Sequence, residues 1–208
     1  MTLAKDSIYD LINPPKTVMK QHFVDYFQNS DFPSYVWSTW NETGSAIFTM
    51  DNGANSGLKV TTAAGGRSGI DFNNTRQFSH NSSTIIAVAK KTALSSRRLF
   101  VGFRYDGTTN GTAECALLHS HDGGNIGLLT GDASGGDTTA GSVAPSTNYI
   151  LTKIVLKNSS CDMNINGILD VTRTEDLPTV ATQPQLMARD DASGTCIVHC
   201  TYMEAYNN

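Results

Sequence analysis

The chain has 208 residues, of which 39% are apolar, and it carries a formal net charge of −4 at pH 7. This length fits one domain with a substantial core, and the apolar content excludes a disordered chain. The sequence has no basic block that would bind nucleic acid, and no apolar run approaches the roughly 18 residues that span a bilayer.

Residues 1–20 differ in pattern from the rest of the chain, and we interpret them as an N-terminal arm. Within this arm, Ser7–Ile12 can form a short helix that Asn13-Pro14-Pro15 would end. The arm lacks the basic and then apolar pattern of a secretory signal. We therefore expect the chain to remain inside the producing cell, to leave by another route, or to reach the outside as part of a particle. Such an arm is often a docking or assembly element, and a frayed terminus is the alternative.

From His22 onward, short alternating runs bounded by turn residues predict antiparallel strands. Two apolar runs, Thr84–Lys90 and Leu99–Tyr105, are expected to be central strands. The cationic pairs Lys90-Lys91 and Arg97-Arg98 are interpreted as part of a loop between them. The Gly-, Asp- and Thr-rich stretch Gly131–Ser146 predicts a long exposed loop. The other predicted strands before and after this stretch are Val24–Phe27, Val36–Trp40, Ala46–Met50, Leu58–Thr62, Ser68–Phe72, Glu114–Ser120, Ile126–Thr130, Pro184–Arg189 and Thr195–Tyr206.

The clearest local pattern is a pair of alternating runs, Tyr149–Lys157 and Cys161–Thr172, the second of which is divided by Asn166-Gly167. Asn-Gly favours a type I′ hairpin turn because both residues tolerate positive φ. About a dozen strands, with no repeat and no interior linker, predict an all-β antiparallel sandwich that forms one domain over residues 21–208.

The four cysteines lie in strand-like runs rather than at metal-ligand spacings, and we interpret them as small buried apolar residues. A disulfide between Cys115 and Cys161 stays open as an alternative. Cys196 and Cys200 share a strand face but are too far apart along it for an easy disulfide.

The order of these features resembles the concanavalin A-like (laminin G-like) jelly-roll superfamily over roughly Phe23–Tyr206. The resemblance rests on aromatic opening strands, a central apolar pair, the Asn166-Gly167 hairpin, and a last strand that returns beside an early one. It implies a sandwich of two antiparallel sheets. Proteins of this fold include lectins, glycan hydrolases, lyases and virion proteins, so the fold alone assigns no function.

No known catalytic pattern of that superfamily occurs in this sequence. Its laminarinase-like hydrolases carry Glu-x-Asp-x-x-Glu on one strand, near the carboxylate separation that a retaining mechanism requires. The Arg, Gln-x-His and Tyr set of its lyases is not recognisable either. We therefore expect a protein that is not an enzyme, with an atypical glycan hydrolase or lyase as the alternative. The glutamates, none of which has the hydrolase neighbourhood, are Glu42, Glu114, Glu175 and Glu204.

His119-Ser-His121 is the best candidate for chemistry, because the period of two along a strand puts both imidazoles on one face. Together with Asp122, they have the ligand types of a divalent transition metal site. The run ends in Gly123-Gly124, however, and we favour a solvated strand end.

Acidic residues in turns are the candidates for calcium, which prefers oxygen ligands. They are Asp132 and Asp137, and the adjacent Asp190 and Asp191, although adjacent aspartates more often cap a turn. We expect no obligatory cofactor, with calcium as the ion to test.

Trp37 and Trp40 differ in parity, so one ring is expected to point into the core and the other outward, where it would bind a sugar or anchor an interface. Arg104 is expected on the polar face of a sheet, with Glu114 as its cross-strand neighbour. The candidate ligand-binding residues are Trp37, Trp40, Arg104, Glu114, His119 and His121.

Three functions fit these observations. We favour a non-catalytic virion or particle-surface structural protein, such as a capsid-decorating or tail-associated subunit. It would dock on other capsid subunits through its arm, form a homo-oligomer and adhere to host-surface glycans. The second hypothesis is a lectin-like module that binds glycans through the outward tryptophan and the loops of residues 121–146. The third is a glycan hydrolase or lyase with atypical residues. No nucleic-acid or membrane partner is expected.

Overall fold

A computed structural model describes residues 21–28, 31–42, 44–52, 56–105, 114–121, 124–192 and 194–208. The arm of residues 1–20 lies outside the described residues. Within the described ranges the regular elements are strands, and they are β1 His22–Asp25, β2 Ser38–Asn41, β3 Ile47–Asp51, β4 Gly57–Thr61, β5 Arg67–Asp71, β6 Ser83–Lys91, β7 Arg97–Arg104, β8 Cys115–Ser120, β9 Gly127–Asp132, β10 Gly135–Ala140, β11 Ile150–Leu156, β12 Cys161–Ile165, β13 Ile168–Arg173, β14 Gln183–Asp190 and β15 Ile197–Asn207.

The strands form two antiparallel sheets. Sheet A has the order β13-β12-β11-β6-β15-β4-β3, and β1 also pairs with β15. Sheet B has the order β10-β9-β8-β7-β14-β5-β2. The predicted antiparallel sandwich is confirmed, and so is the expectation that the last strand pairs beside early ones.

The main core lies between the two sheets, because each strand directs alternate side chains inward. On β11 the buried residues Ile150, Thr152, Ile154 and Leu156 alternate with more exposed ones. The two runs predicted to be central, β6 and β7, lie in the middle of sheets A and B. The cysteines are all free and buried, as the sequence predicted, and no Cys115–Cys161 disulfide forms.

Strand β15 changes partner along its length. Its first half pairs with β4, its second half pairs with β1, and its pairing with β6 shifts register between Cys200 and Tyr202. At this shift Gly57 has φ +133°, and a Cβ there would lie 2.4 Å from the Cys200 carbonyl oxygen. Only glycine fits this backbone conformation and this close approach without strain.

The hairpin turn at Asn166-Gly167 is confirmed, since these residues have φ of 52° and 85°. Two other predictions are wrong. The stretch interpreted as a long loop contains β10, which pairs with β9 along its whole length. The cationic residues interpreted as loop lie in strands: Lys90-Lys91 ends β6, and Arg97-Arg98 begins β7.

The described part of the chain contains no helix with the length and apolar character required to cross a membrane.

Candidate functional site

The outer face of sheet B, which points away from the main core, carries a second apolar cluster. Cross-strand partners share a face, so the pairs Phe100–His119, Phe100–Met187 and Leu117–Leu129 all lie on this side. We call the buried residues at its centre the outer cluster; they are Trp40, Phe100, Cys115, Leu117, Leu129 and Met187. This cluster gives the face a rigid apolar floor.

A cavity of about 390 Å³ opens at one end of this face. Its lining comes from β7, β8, β10 and the segment before β9, and consists of Arg98, His119, His121, Gly124, Asn125 and Thr138. Among the described residues this lining contains two imidazoles, a guanidinium, an amide and a hydroxyl, but no carboxylate.

His119 is fixed on three sides. Its ring stacks on Phe100 with 4.5 Å between centroids and 9° between planes. The Arg98 guanidinium can only donate, so its Nη1 donates to His119 Nε2 at 3.5 Å, and His119 Nδ1 then donates to Thr138 Oγ1 at 3.4 Å. Burial, reinforced by the positive charge of Arg98, lowers the pKa of His119 to about 4. The imidazole is therefore neutral at neutral pH and serves as a flat, oriented hydrogen-bonding ring.

Three arginines lie in a line across neighbouring strands, and one of them, Arg98, lines the cavity. Arg189 on β14 is the direct partner of Arg98 on β7 and of Arg67 on β5. We call these three residues the arginine row. Asp191 accepts from Arg98 Nε and from Arg189 Nε, the latter at 2.5 Å. Glu42 accepts from Arg67 Nη1 at 3.2 Å.

A second polar group lies at the opposite end of the same face, where Gln183 is the cross-strand partner of Arg104. Gln183 is 0% exposed, and within the described part of the chain neither of its side-chain amide atoms has a hydrogen-bond partner. A buried amide without partners costs free energy unless water or a ligand binds it. Arg104 is also buried, 3% exposed.

The predicted ligand residues are only partly brought together. His119 and His121 lie in the cavity with 5.8 Å between ring centroids, while Trp40 and Arg104 lie on the same face outside it. Trp37 is in the main core, where its Nε1 donates to Asp25 Oδ2 at 2.9 Å. Trp37 therefore cannot serve as a binding platform.

Glu114 was expected beside Arg104 as its cross-strand neighbour, but the direct partner of Arg104 on β8 is Cys115. The Glu114 carboxylate accepts from Thr179 N at 2.6 Å and from Thr179 Oγ1 at 2.7 Å. Glu114 therefore anchors the segment before β14.

Two of the aspartates considered as metal ligands, Asp190 and Asp191, have other partners. Asp190 is buried, accepts from Gly65 N at 3.0 Å and lies 3.5 Å from Arg97 Nε, and Asp191 pairs with the arginine row. These contacts occupy oxygens that calcium would need. Asp122 lies outside the described residues. Among the residues that the structure describes, no group of three His, Cys, Asp or Glu side chains is placed to hold a metal ion.

Arg98, Arg189, Asn125 and Thr138 were not predicted as site residues. Their contributions depend on cross-strand register between segments far apart in sequence, which no local motif reveals. The one local signal was the alternation of side chains along β8, which, counted from His119, shows which residues of that strand face outward.

A comparison with protein-family models found no match, and a comparison with curated protein sequences found none either. Solved structures are similar in fold. The carbohydrate recognition domain of Emp47p has a TM-score of 0.64 at 9% identity, covering 90% of this chain and 95% of that one. The β-glucanase of Bacillus licheniformis has a TM-score of 0.64 at 11% identity, covering 90% and 98%.

The Crh5 transglycosylase has a TM-score of 0.62 at 12% identity, covering 89% of this chain and 84% of that one. These similarities show that the chain has the concanavalin A-like jelly-roll fold. The solved proteins that share it include a carbohydrate recognition domain, a glucanase and a transglycosylase.

Proposed function

We propose that this protein is a non-catalytic glycan-binding β-sandwich whose ligand lies in the cavity on the outer face of sheet B. The observation that carries the proposal is the stack of His119 on Phe100, bordered by the polar groups of Arg98, Asn125 and Thr138. A few convergent polar groups around a flat, immobilised ring suit a sugar, which needs both hydrogen bonds and a face contact. The structural similarity to carbohydrate-recognising proteins supports the same assignment.

The proposal that the site binds without catalysis is supported by the state of the nearby carboxylates. Retaining glycosidases need two carboxyl groups about 5 Å apart, one of them free to act as nucleophile. Here Asp191 is held by two arginines and Glu42 by one. Incubation with a panel of neutral and acidic polysaccharides should release neither reducing ends nor unsaturated sugars. Release of either product would refute this part of the proposal.

Binding is tested with a glycan array, followed by titration of the best glycan against point variants. Asn125→Ala removes a polar group of the cavity, and Asn164→Ala on β12 of sheet A is its matched control. We expect Asn125→Ala to weaken binding by about tenfold or less, the usual worth of one neutral hydrogen bond, and Asn164→Ala to have no effect. An array without a single glycan above background, with and without calcium, would overturn the proposal.

We further propose that the sandwich is a surface subunit of a larger particle, assembled as a homo-oligomer and attached through residues 1–20. The supporting observation is that β1, which directly follows these residues, is a short strand whose one partner among the described strands is the second half of β15. An arm joined there can be removed without breaking the central strands. Deletion of residues 1–20 should abolish particle association and leave the unfolding transition unchanged, and association that persists would reject the proposal.

A further inference from the structure

The arginine row is unusual because it places like charges directly opposite each other in two neighbouring strand pairs, β7–β14 and β14–β5. Direct cross-strand neighbours lie about 5 Å apart, and like charges at such positions destabilise a sheet. Here three guanidiniums lie in one row on the outer face of sheet B, where the packing of the main core does not require them. Their side chains are 24%, 23% and 27% exposed for Arg67, Arg98 and Arg189.

The carboxylates beside the row do not neutralise it. Asp191 is shared by Arg98 and Arg189, and Glu42 pairs with Arg67, so three positive charges face two negative ones. Each guanidinium has five N–H donors, whereas within the described ranges Arg189 uses only its Nε, which donates to Asp191. Counted over the residues that the structure describes, donors and one unit of positive charge therefore remain for a ligand.

The row and the cavity are continuous. Arg98 belongs to both, since it donates to Asp191 and to His119, and β8 with its two imidazoles lies beside β7. From β5 to β8 there are three strand steps, which at the usual spacing is about 15 Å. A surface of this length contacts several units of a chain rather than one small anion.

We infer that the arginine row recognises the anionic groups of an acidic polysaccharide, either uronate carboxylates or sulfate esters, while the adjoining cavity holds its sugar rings. This inference rests on the proposed glycan-binding function and specifies the class of glycan. The planar fork of arginine matches both carboxylate and sulfate oxygens. A single-stranded nucleic acid is also a polyanion, but binding one calls for exposed aromatic rings on which bases stack. Phe100 and Trp40, the aromatic rings of the outer cluster, are only 5% and 6% exposed.

The first test uses the unmodified protein and two ligands with the same sugar backbone, one with free carboxylates and one with neutral methyl esters. Isothermal titration with a hexagalacturonate should show binding that weakens as salt is raised, and the fully methyl-esterified hexamer should bind at least about tenfold more weakly. A sulfated galactan oligosaccharide against its desulfated form separates sulfate from uronate as the anionic group. Preference for either charged form supports the inference.

The second test removes one arginine. Arg189→Gln leaves Asp191 paired with Arg98, so the fold should persist, and a thermal scan checks this directly. We expect about tenfold weaker binding of the charged ligand with little change for its neutral form, and partial recovery in Arg189→Lys. Lys153→Gln, on β11 of sheet A, makes the same change in net charge and should have no effect.

The outcomes separate this inference from the function on which it rests. If neutral glycans bind as well as charged ones and Arg189→Gln binds like the wild type, the inference fails and the glycan-binding function stands. If no glycan binds, both fail. If an oligothymidylate binds as tightly as the acidic glycan, with the same dependence on Arg189, the row is a general polyanion site and the assignment to polysaccharide is wrong.

Discussion

His119 should make the stability of the folded chain depend on pH, and the structure fixes the direction. Burial beside Arg98 lowers the pKa of His119 from 6.5 to about 4, so the folded protein resists protonation that the unfolded chain accepts. Above about pH 6.5 the His119 ring is neutral in both states, and it does not lower the free energy of unfolding. As the pH falls from about 6.5 towards about 4, the free energy of unfolding decreases, because the unfolded chain binds a proton at His119 that the folded chain does not.

The size of the effect on stability follows from the difference between the pKa of His119 in the folded chain and its ordinary value of 6.5. A shift of one pKa unit corresponds to about 1.4 kcal/mol, which gives a limit of about 3 kcal/mol for His119. The ring is only partly buried, and water screens part of the penalty, so we expect about 2 kcal/mol. Other groups also titrate in this range, and the quantity to measure is therefore a difference between two proteins.

The perturbation is His119→Gln, whose amide can accept from Arg98 and donate to Thr138 but cannot ionise. Urea unfolding of both proteins at about pH 7 and about pH 4.5 gives the free energy of unfolding at each pH. The wild type should lose about 2 kcal/mol more than the variant between these conditions. Equal losses, or an NMR titration that places the His119 midpoint near 6.5, would refute the reasoning.

Three further predictions concern the fold. Gly167→Ala should destabilise the chain by about 1 to 2 kcal/mol in urea unfolding, because φ is +85° while the surrounding space is open, so strain of the backbone is the only cost. Trp37→Phe should cost at least about 1 kcal/mol in the same assay, since it removes the hydrogen bond to Asp25; an unchanged midpoint would show that this bond contributes nothing. The buried cysteines, whose thiol pKa values burial raises, should not react with an aromatic disulfide in the native state and should all react in guanidinium; fast native reaction would contradict their burial.

The local sequence pattern was sufficient for prediction where the residues of a single strand or turn determine its structure. The alternation of β11 predicted its burial because each strand residue meets either core or solvent, and Asn166-Gly167 predicted its turn because few residues adopt those φ values. The parity of Trp37 and Trp40 likewise required that the two rings face opposite sides, and the structure puts Trp37 in the main core and Trp40 in the outer cluster.

The local sequence pattern failed where the structure of a segment depends on the strands beside it. β10 has little apolar content and no alternation, yet it pairs with β9, and Arg173 donates from the opposite sheet to Thr139 at 2.6 Å. The arginine row depends on register among β5, β7 and β14, which are separated by long stretches of sequence. Such register is fixed by the whole sandwich, so the sequence showed Arg98 only as one member of a cationic pair.

The outer cluster explains why the arginine row is a surface suited to binding. Phe100 lies two residues from Arg98 along β7, and Met187 lies two residues from Arg189 along β14, so the arginine stems have an apolar floor beside them. Asp191 then holds both guanidiniums from the side. Side chains restrained in this way before a ligand arrives lose little conformational freedom when it binds, and more of each new hydrogen bond remains as affinity. A flexible pair of surface arginines would bind the same anion more weakly. Removing one member of the row should therefore lower the affinity for the ligand and leave the stability of the fold unchanged.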